Sequence, residues 1–150
     1  MRRLLIALGF AAIIYLPAAG QDRAAFTTVQ RFVDAFNQGD TKSAAAVCAE
    51  RTLIIDEFPP YEWQGSGACA RWMRDYDEDA KKNAITDGVV TLGSPRHVDI
   101  SGDRAYVVVS ADYAFKQNGK MVKETGSVLT IVLRESPGGW RISAWSWSKN

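Results

Sequence analysis

The last extended segment of the chain constrains its fold most. After Gly138-Gly139, the run Trp140-Arg141-Ile142-Ser143-Ala144-Trp145-Ser146-Trp147-Ser148 alternates with the period of two that defines a β-strand. Strict alternation places Trp140, Ile142 and Ala144 on one face and Arg141, Ser143, Trp145 and Trp147 on the other. Both faces then carry large apolar groups, and a sheet of that kind has to cover both. One face is expected to meet helices, and the other a ligand or a second chain. This sets an architecture without naming a reaction.

The first 20 residues read as a separate object. Arg2 and Arg3 precede an uncharged apolar run from Leu4 to Leu16, and Ala18-Ala19-Gly20 supplies small residues at a cleavage position. The run is shorter than the roughly 20 residues a spanning helix needs. A signal peptide over 1–20 is therefore expected, with export to the periplasm or medium and no membrane association after cleavage. Residues 21–150 have the size of one domain with one core. The chain holds 18 basic and 17 acidic residues, and losing Arg2 and Arg3 leaves it close to neutral. Such a balance gives no reason to expect nucleic acid as a partner.

Two cysteines remain, Cys48 and Cys69, and an oxidising compartment makes their disulfide the expected state. With a single histidine, His97, they cannot form a zinc site without carboxylates, and neither sits in a CxxC pair. Asp75, Asp77, Glu78 and Asp79 lack the glycine and spacing of a calcium loop and read as a solvated helix face. No phosphate loop, nucleophile elbow or dinucleotide fingerprint occurs. Neither a metal nor a cofactor is expected.

Val29, Phe32, Val33 and Phe36 form one apolar stripe and predict a helix over Ala25 to Asn37, ended by Gly39. Asp40 can cap a second, alanine-rich helix over about Thr41 to Ala49, with Cys48 on its apolar side. Leu53 to Phe58 has β character and stops at Pro59-Pro60. Gly65-Ser66-Gly67 opens a third helix bearing Cys69, Trp72, Met73, Tyr76 and Ala80. From Asp87-Gly88 the period changes to two, predicting strands near Val89–Ile100, Arg104–Phe115, Lys123–Arg134 and Trp140–Ser148. Helices followed by hairpins predict an α+β fold with an antiparallel sheet.

Three features coincide along this path: a helix ending in Phe36-Asn37-Gln38-Gly39-Asp40, the strand Thr52-Leu53-Ile54-Ile55-Asp56 before a glycine-rich helix start, and the terminal Gly139-Trp140-Arg141-Ile142 strand. Together they resemble the nuclear transport factor 2-like superfamily, in particular its ketosteroid isomerase and SnoaL-like branches. The resemblance spans about Ala24 to Lys149. It implies a cone-shaped, cystatin-like fold in which N-terminal helices pack on a curved antiparallel sheet around a pocket, often paired as a homodimer through the outer sheet face. The family hosts isomerases, dehydratases, cyclases and proteins without activity, so the residues must decide the function.

The resemblance places a catalytic or orienting carboxylate at Asp56 or Glu57. Enclosed by Ile54, Phe58, Trp63 and Trp72, such a group would have the raised pKa of a general base. The alternative is that both carboxylates cap, pair with Arg51 or Arg71, or face water. Departures weigh against steroid isomerisation: the oxyanion-stabilising tyrosine of the first helix falls near Phe32, and the second acid falls among Ser127, Val128 and Leu129. His97, with Asp99 as an orienting acid, is a further candidate base, and Asp112 is either a pocket group or a satisfied sheet residue. Tyr61, Trp63, Trp72, Tyr76, Tyr113, Trp145 and Trp147 supply enough aromatic surface to line a pocket for a small apolar or aromatic molecule. Ligand binding without identifiable catalysis is the leading expectation. A lyase or isomerase using Asp56 and a homodimeric interaction module are the alternatives.

Overall fold

The computed structural model describes residues 18–150, so the expected signal peptide lies largely outside the described residues. Helix α1 spans Ala18–Asn37, α2 Thr41–Ala46 and α3 Ala68–Lys82. Six strands follow the order β1 Cys48–Ile55, β2 Glu62–Ser66, β3 Ile85–Ser101, β4 Arg104–Gln117, β5 Lys120–Ser136 and β6 Gly139–Ser148. They form one unclosed sheet with spatial order β2-β1-β6-β5-β4-β3. Neighbours run antiparallel except β1 and β6, which pair in parallel. This is the expected α+β arrangement, with one parallel pair that hairpin counting does not reveal.

The helices lie on one face of the sheet. Ala25, Val29, Phe32 and Val33 of α1 are buried together with Cys69, Trp72 and Met73 of α3. Beneath them lie Val107 and Val109 of β4, Leu129, Ile131 and Leu133 of β5, and Ile54 of β1. The stripe on α1 is the one its spacing predicts, and Gly39 ends the helix at φ +68°, a conformation glycine adopts without strain. The Asn37 side chain docks on the far sheet edge, donating to the Val90 carbonyl at 2.8 Å and accepting from the Val90 amide at 2.8 Å.

Helix α2 is shorter than expected. The Val47 carbonyl accepts the Ile142 amide at 2.9 Å, and Cys48 pairs with Ile142 across the parallel ladder. Sheet pairing thus takes over from a short alanine helix that has little packing of its own. Cys48 consequently sits at the start of β1 rather than on a helix. Its disulfide to Cys69 spans a Cα separation of 6.5 Å and ties β1 to the first turn of α3. Strand β2 has no counterpart in the sequence reading, because Trp63 is its only buried side chain.

The strict alternation of β6 is broken. Val132 of β5 pairs with Ala144, and the next residue, Leu133, pairs with Ile142, so Ser143 is an extra residue in β6. Its hydroxyl donates to the Val132 carbonyl at 3.1 Å. This bulge inverts the strand's phase: Trp140 and Ile142 before it and Trp145 after it are all buried on the helix side. Trp145 therefore faces inward, and the expected division of tryptophans between two faces does not hold. A second bulge lies in β5, where the step from Ala111 to Tyr113 on β4 corresponds to the step from Ser127 to Glu124. Gly126 takes φ +79° there, and its amide donates to Asp112 Oδ1 at 3.0 Å. Asp112 is thus an exposed residue that satisfies the bulge.

Candidate functional site

A cavity of about 650 Å³ opens between α1, α3 and the inner face of the sheet. Its size lies within the range of small-molecule sites. The aromatic wall is continuous. Trp72 meets Trp145 edge-on at 4.8 Å between ring centroids and an interplanar angle of 89°, Phe36 at 5.5 Å and Phe32 at 5.9 Å. Phe36 meets Tyr76 at 4.9 Å. Tyr113 stacks on Phe115 at 4.7 Å, and its hydroxyl hydrogen-bonds that of Tyr76, joining α3 to β4 across the cavity wall. Trp147 completes the lining from β6. The indole N–H of Trp145 is buried without an acceptor among the described residues.

Asp56 follows the last residue of β1 and lines the cavity. Trp72 Nε1–H donates to its Oδ2 at 2.7 Å, and the Glu57 amide donates to its Oδ1 at 2.7 Å. It forms no ion pair among the described residues: Arg71 instead donates to the carbonyls of Ser66 and Gln64. Burial raises the Asp56 carboxyl to about 6, against the opposing pull of the Glu57 amide and the Trp72 indole. Glu57 also borders the cavity. Burial and then the neighbouring Glu124 raise its pKa, while Lys149 works against them. Lys149 bridges the pair, with its Nζ 2.5 Å from Glu124 Oε1 and 3.5 Å from Glu57 Oε2. Burial raises both Tyr76 and Tyr113, whose phenols stay protonated through the neutral range.

Of the residues the sequence singles out, Asp56, Glu57, Trp72, Tyr76, Tyr113, Trp145 and Trp147 meet at this cavity. Three do not. Tyr61 is 57% exposed, turned outward by the tight loop in which its amide donates to the Phe58 carbonyl at 2.9 Å. Trp63 packs on Phe58 and donates to Asp75 Oδ2 at 2.8 Å, so it is a structural link between β2 and α3. His97 lies exposed on β3, after three irregularities of the β3–β4 register, with Tyr106 as its aromatic neighbour.

Phe58, expected beside Asp56, lines the cavity as well, whereas Asp79, read as part of a solvated helix face, borders the cavity instead; the sequence reading also misses Phe36, Glu124 and Lys149 as lining residues. Glu124 had a signal, since a glycine inside a strand marks a bulge that re-aims the side chains before it. Among the described residues, no three His, Cys, Asp or Glu side chains converge as a metal site.

The family model described as SnoaL-like domain matches residues 26–149. Solved structures share the fold at low identity. A nuclear transport factor 2-like superfamily protein from Salmonella enterica serovar Typhimurium has a TM-score of 0.74 at 14% identity, covering 89% of this chain and 93% of that one. A ketosteroid isomerase-like protein from Erwinia carotovora atroseptica has 0.67 at 16%, covering 86% and 95%. A protein from Streptomyces avermitilis, provisionally named a dehydratase of the NTF2-like family, has 0.71 at 18%, covering 88% and 98%. No curated protein matches the chain in sequence.

Proposed function

The chain belongs to the SnoaL-like domain family, and from that premise we propose that it binds a small, mostly apolar or aromatic molecule in the cavity, without a cofactor. One observation carries the reading. A space of about 650 Å³ stays unfilled by the protein's own side chains, although aromatic rings from α1, α3, β4 and β6 border it. Rings aligned on an open space offer dispersion and stacking surface that costs little ordering entropy on binding. The test is a titration of intrinsic tryptophan fluorescence with naphthalene-sized and indole-sized compounds. Quenching or a spectral shift is expected, with loss of the response in Ala80→Trp, whose added ring occupies the space. No response from the native chain across such a panel overturns the proposal.

A second reading is favoured by Asp56. A carboxylate that lines the cavity with its pKa raised to about 6 has the properties of a general base near neutral pH, so a lyase or isomerase acting through Asp56, with Glu57 beside it, is the catalytic alternative. Steroid-type isomerisation remains disfavoured because Phe32, at the cavity wall, offers no hydroxyl.

We further propose that residues 1–20 are a signal peptide and 21–150 the exported domain, a reading supported by the Cys48–Cys69 disulfide. Among the described residues no helix is long and apolar enough to cross a membrane. Pairing as a homodimer through the outer sheet face is supported by the exposed ring of Tyr106 beside half-buried Val108 and Val132.

A further inference from the structure

We propose that the ligand of this cavity is an organic cation: a protonated amine carried on a flat apolar body. The inference rests on the small-molecule reading above and adds the sign of the ligand's charge.

The lining holds four carboxylates, Asp56, Glu57, Asp79 and Glu124, against one ammonium, that of Lys149. The carboxylates come from the end of β1, the following loop, α3 and β5. They are not a solvated face of one helix, and the fold converges them on one space. Lys149 is already shared between Glu57 and Glu124. Asp56 and Asp79 take part in no ion pair among the described residues.

Glu124 supplies an independent sign. Its side chain is only 15% exposed, and its Oε2 is buried with no hydrogen-bond partner. A buried carboxylate oxygen left without a donor is costly, and a donor arriving with the ligand relieves that cost. The bulge at Gly126 is what brings this side chain to the inner face. Burial already disfavours the ionised forms of Asp56 and Glu57, so a cation entering the space is drawn by charges that water screens poorly.

The aromatic wall fits the same ligand. Trp72, Tyr76, Tyr113 and Trp147 border the space, and a cation over such a ring face is attracted by its quadrupole. An anionic ligand would find the Lys149 ammonium and the unpartnered Trp145 indole N–H, but would face four carboxylates. A neutral donor such as an alcohol could meet the Glu124 oxygen but would leave the excess of carboxylate charge in the lining uncompensated.

The experiment compares three probes of one shape at pH 8 and low salt: 2-naphthylmethylammonium, 2-naphthylmethanol and 2-naphthoate, each titrated by tryptophan fluorescence and by calorimetry. The ammonium is expected to bind at least 10-fold more tightly than the alcohol, and the carboxylate most weakly. The advantage over the alcohol should shrink as salt rises, as expected of charge attraction. In the double variant Asp79→Asn, Glu124→Gln the advantage should fall to about 2-fold. The readout is the ratio of ammonium to alcohol affinity within the variant, and a native-like circular dichroism spectrum and melting transition show that the variant keeps its fold. Equal binding of alcohol and ammonium, or tighter binding of the carboxylate, overturns the charge assignment and leaves the aromatic pocket standing. Failure of all three probes to bind the native chain overturns both.

Discussion

Replacing Asp56 by asparagine isolates the energetic cost of holding a carboxylate in the cavity wall. The folded chain raises this group from 3.8 to about 6, chiefly through burial. At 1.36 kcal/mol per unit, that shift is worth about 3 kcal/mol of preference for the protonated form. The sign follows from which state binds the proton. Between pH 4 and 6 the folded chain keeps it while the unfolded chain releases it, so stability falls as pH rises through this window. Above pH 6 both states are ionised and this contribution is flat. Asparagine has no charge to desolvate, so its stability lacks this component. Its amide keeps one acceptor for the two donors that now serve Asp56, the Trp72 indole and the Glu57 amide. The unmet donor costs about 1–3 kcal/mol, but that cost does not vary with pH. The stability of Asp56→Asn minus that of the native chain should therefore rise by about 2.5 kcal/mol from pH 4 to pH 7. In a domain of this size that is on the order of 10 °C in melting temperature. Calorimetric melts across that range read the difference, and Glu57→Gln run in parallel separates the neighbouring carboxylate, which shifts in the same direction. A difference constant to within about 1 kcal/mol would refute the placement of a desolvated carboxylate at this position.

Two further perturbations test other parts of the site. The Cys48–Cys69 bridge closes a separation of 21 residues, so Cys48→Ser with Cys69→Ser should cost about 3 kcal/mol, read as a lower denaturant midpoint that reducing agent no longer alters. At Gly88 an added Cβ would lie 2.6 Å from the Tyr113 hydroxyl and 3.0 Å from that of Tyr76. Gly88→Ala should therefore part the two phenols. The phenolate absorbance of Tyr113 should then appear at lower pH than in the native chain, yet still above the ordinary value because burial persists. An unchanged tyrosine titration would show that the pair does not respond to this crowding.

Regular elements were legible because their burial repeats. The α1 stripe of Val29, Phe32 and Val33, the α3 stripe of Cys69, Trp72 and Met73, and the alternation along β4 and β5 all appear in the core as spaced. What was not legible depends on partners distant in sequence. Strand β2 holds its place through pairing with β1, and Cys48 becomes a strand residue through its pairing with Ile142. Neither neighbour is visible in a local window. Tyr61 and Trp63 differ from the cavity aromatics by the loop geometry and the Asp75 acceptor that claim them. Their composition is the same.

The two bulges explain why the site was harder to read than the fold. A strand without irregularity presents residues i and i+2 on one face, so Trp145 would share the side of Arg141 and Ser143, and Glu124 would lie opposite Ser127 and Leu129. One extra residue at Ser143 brings Trp145 and Trp147 to the wall, and one near Gly126 brings Glu124 beside Tyr113. Each insertion interrupts ladder bonding locally, and each is met by a specific partner: the Val132 carbonyl for the Ser143 hydroxyl, and Asp112 for the Gly126 amide. The same irregularities therefore set the aromatic wall and place the buried Glu124 carboxylate. A cavity that combines apolar rings with buried charge arises here from breaks in periodicity, and a periodic reading of the chain assigns those residues to the opposite face.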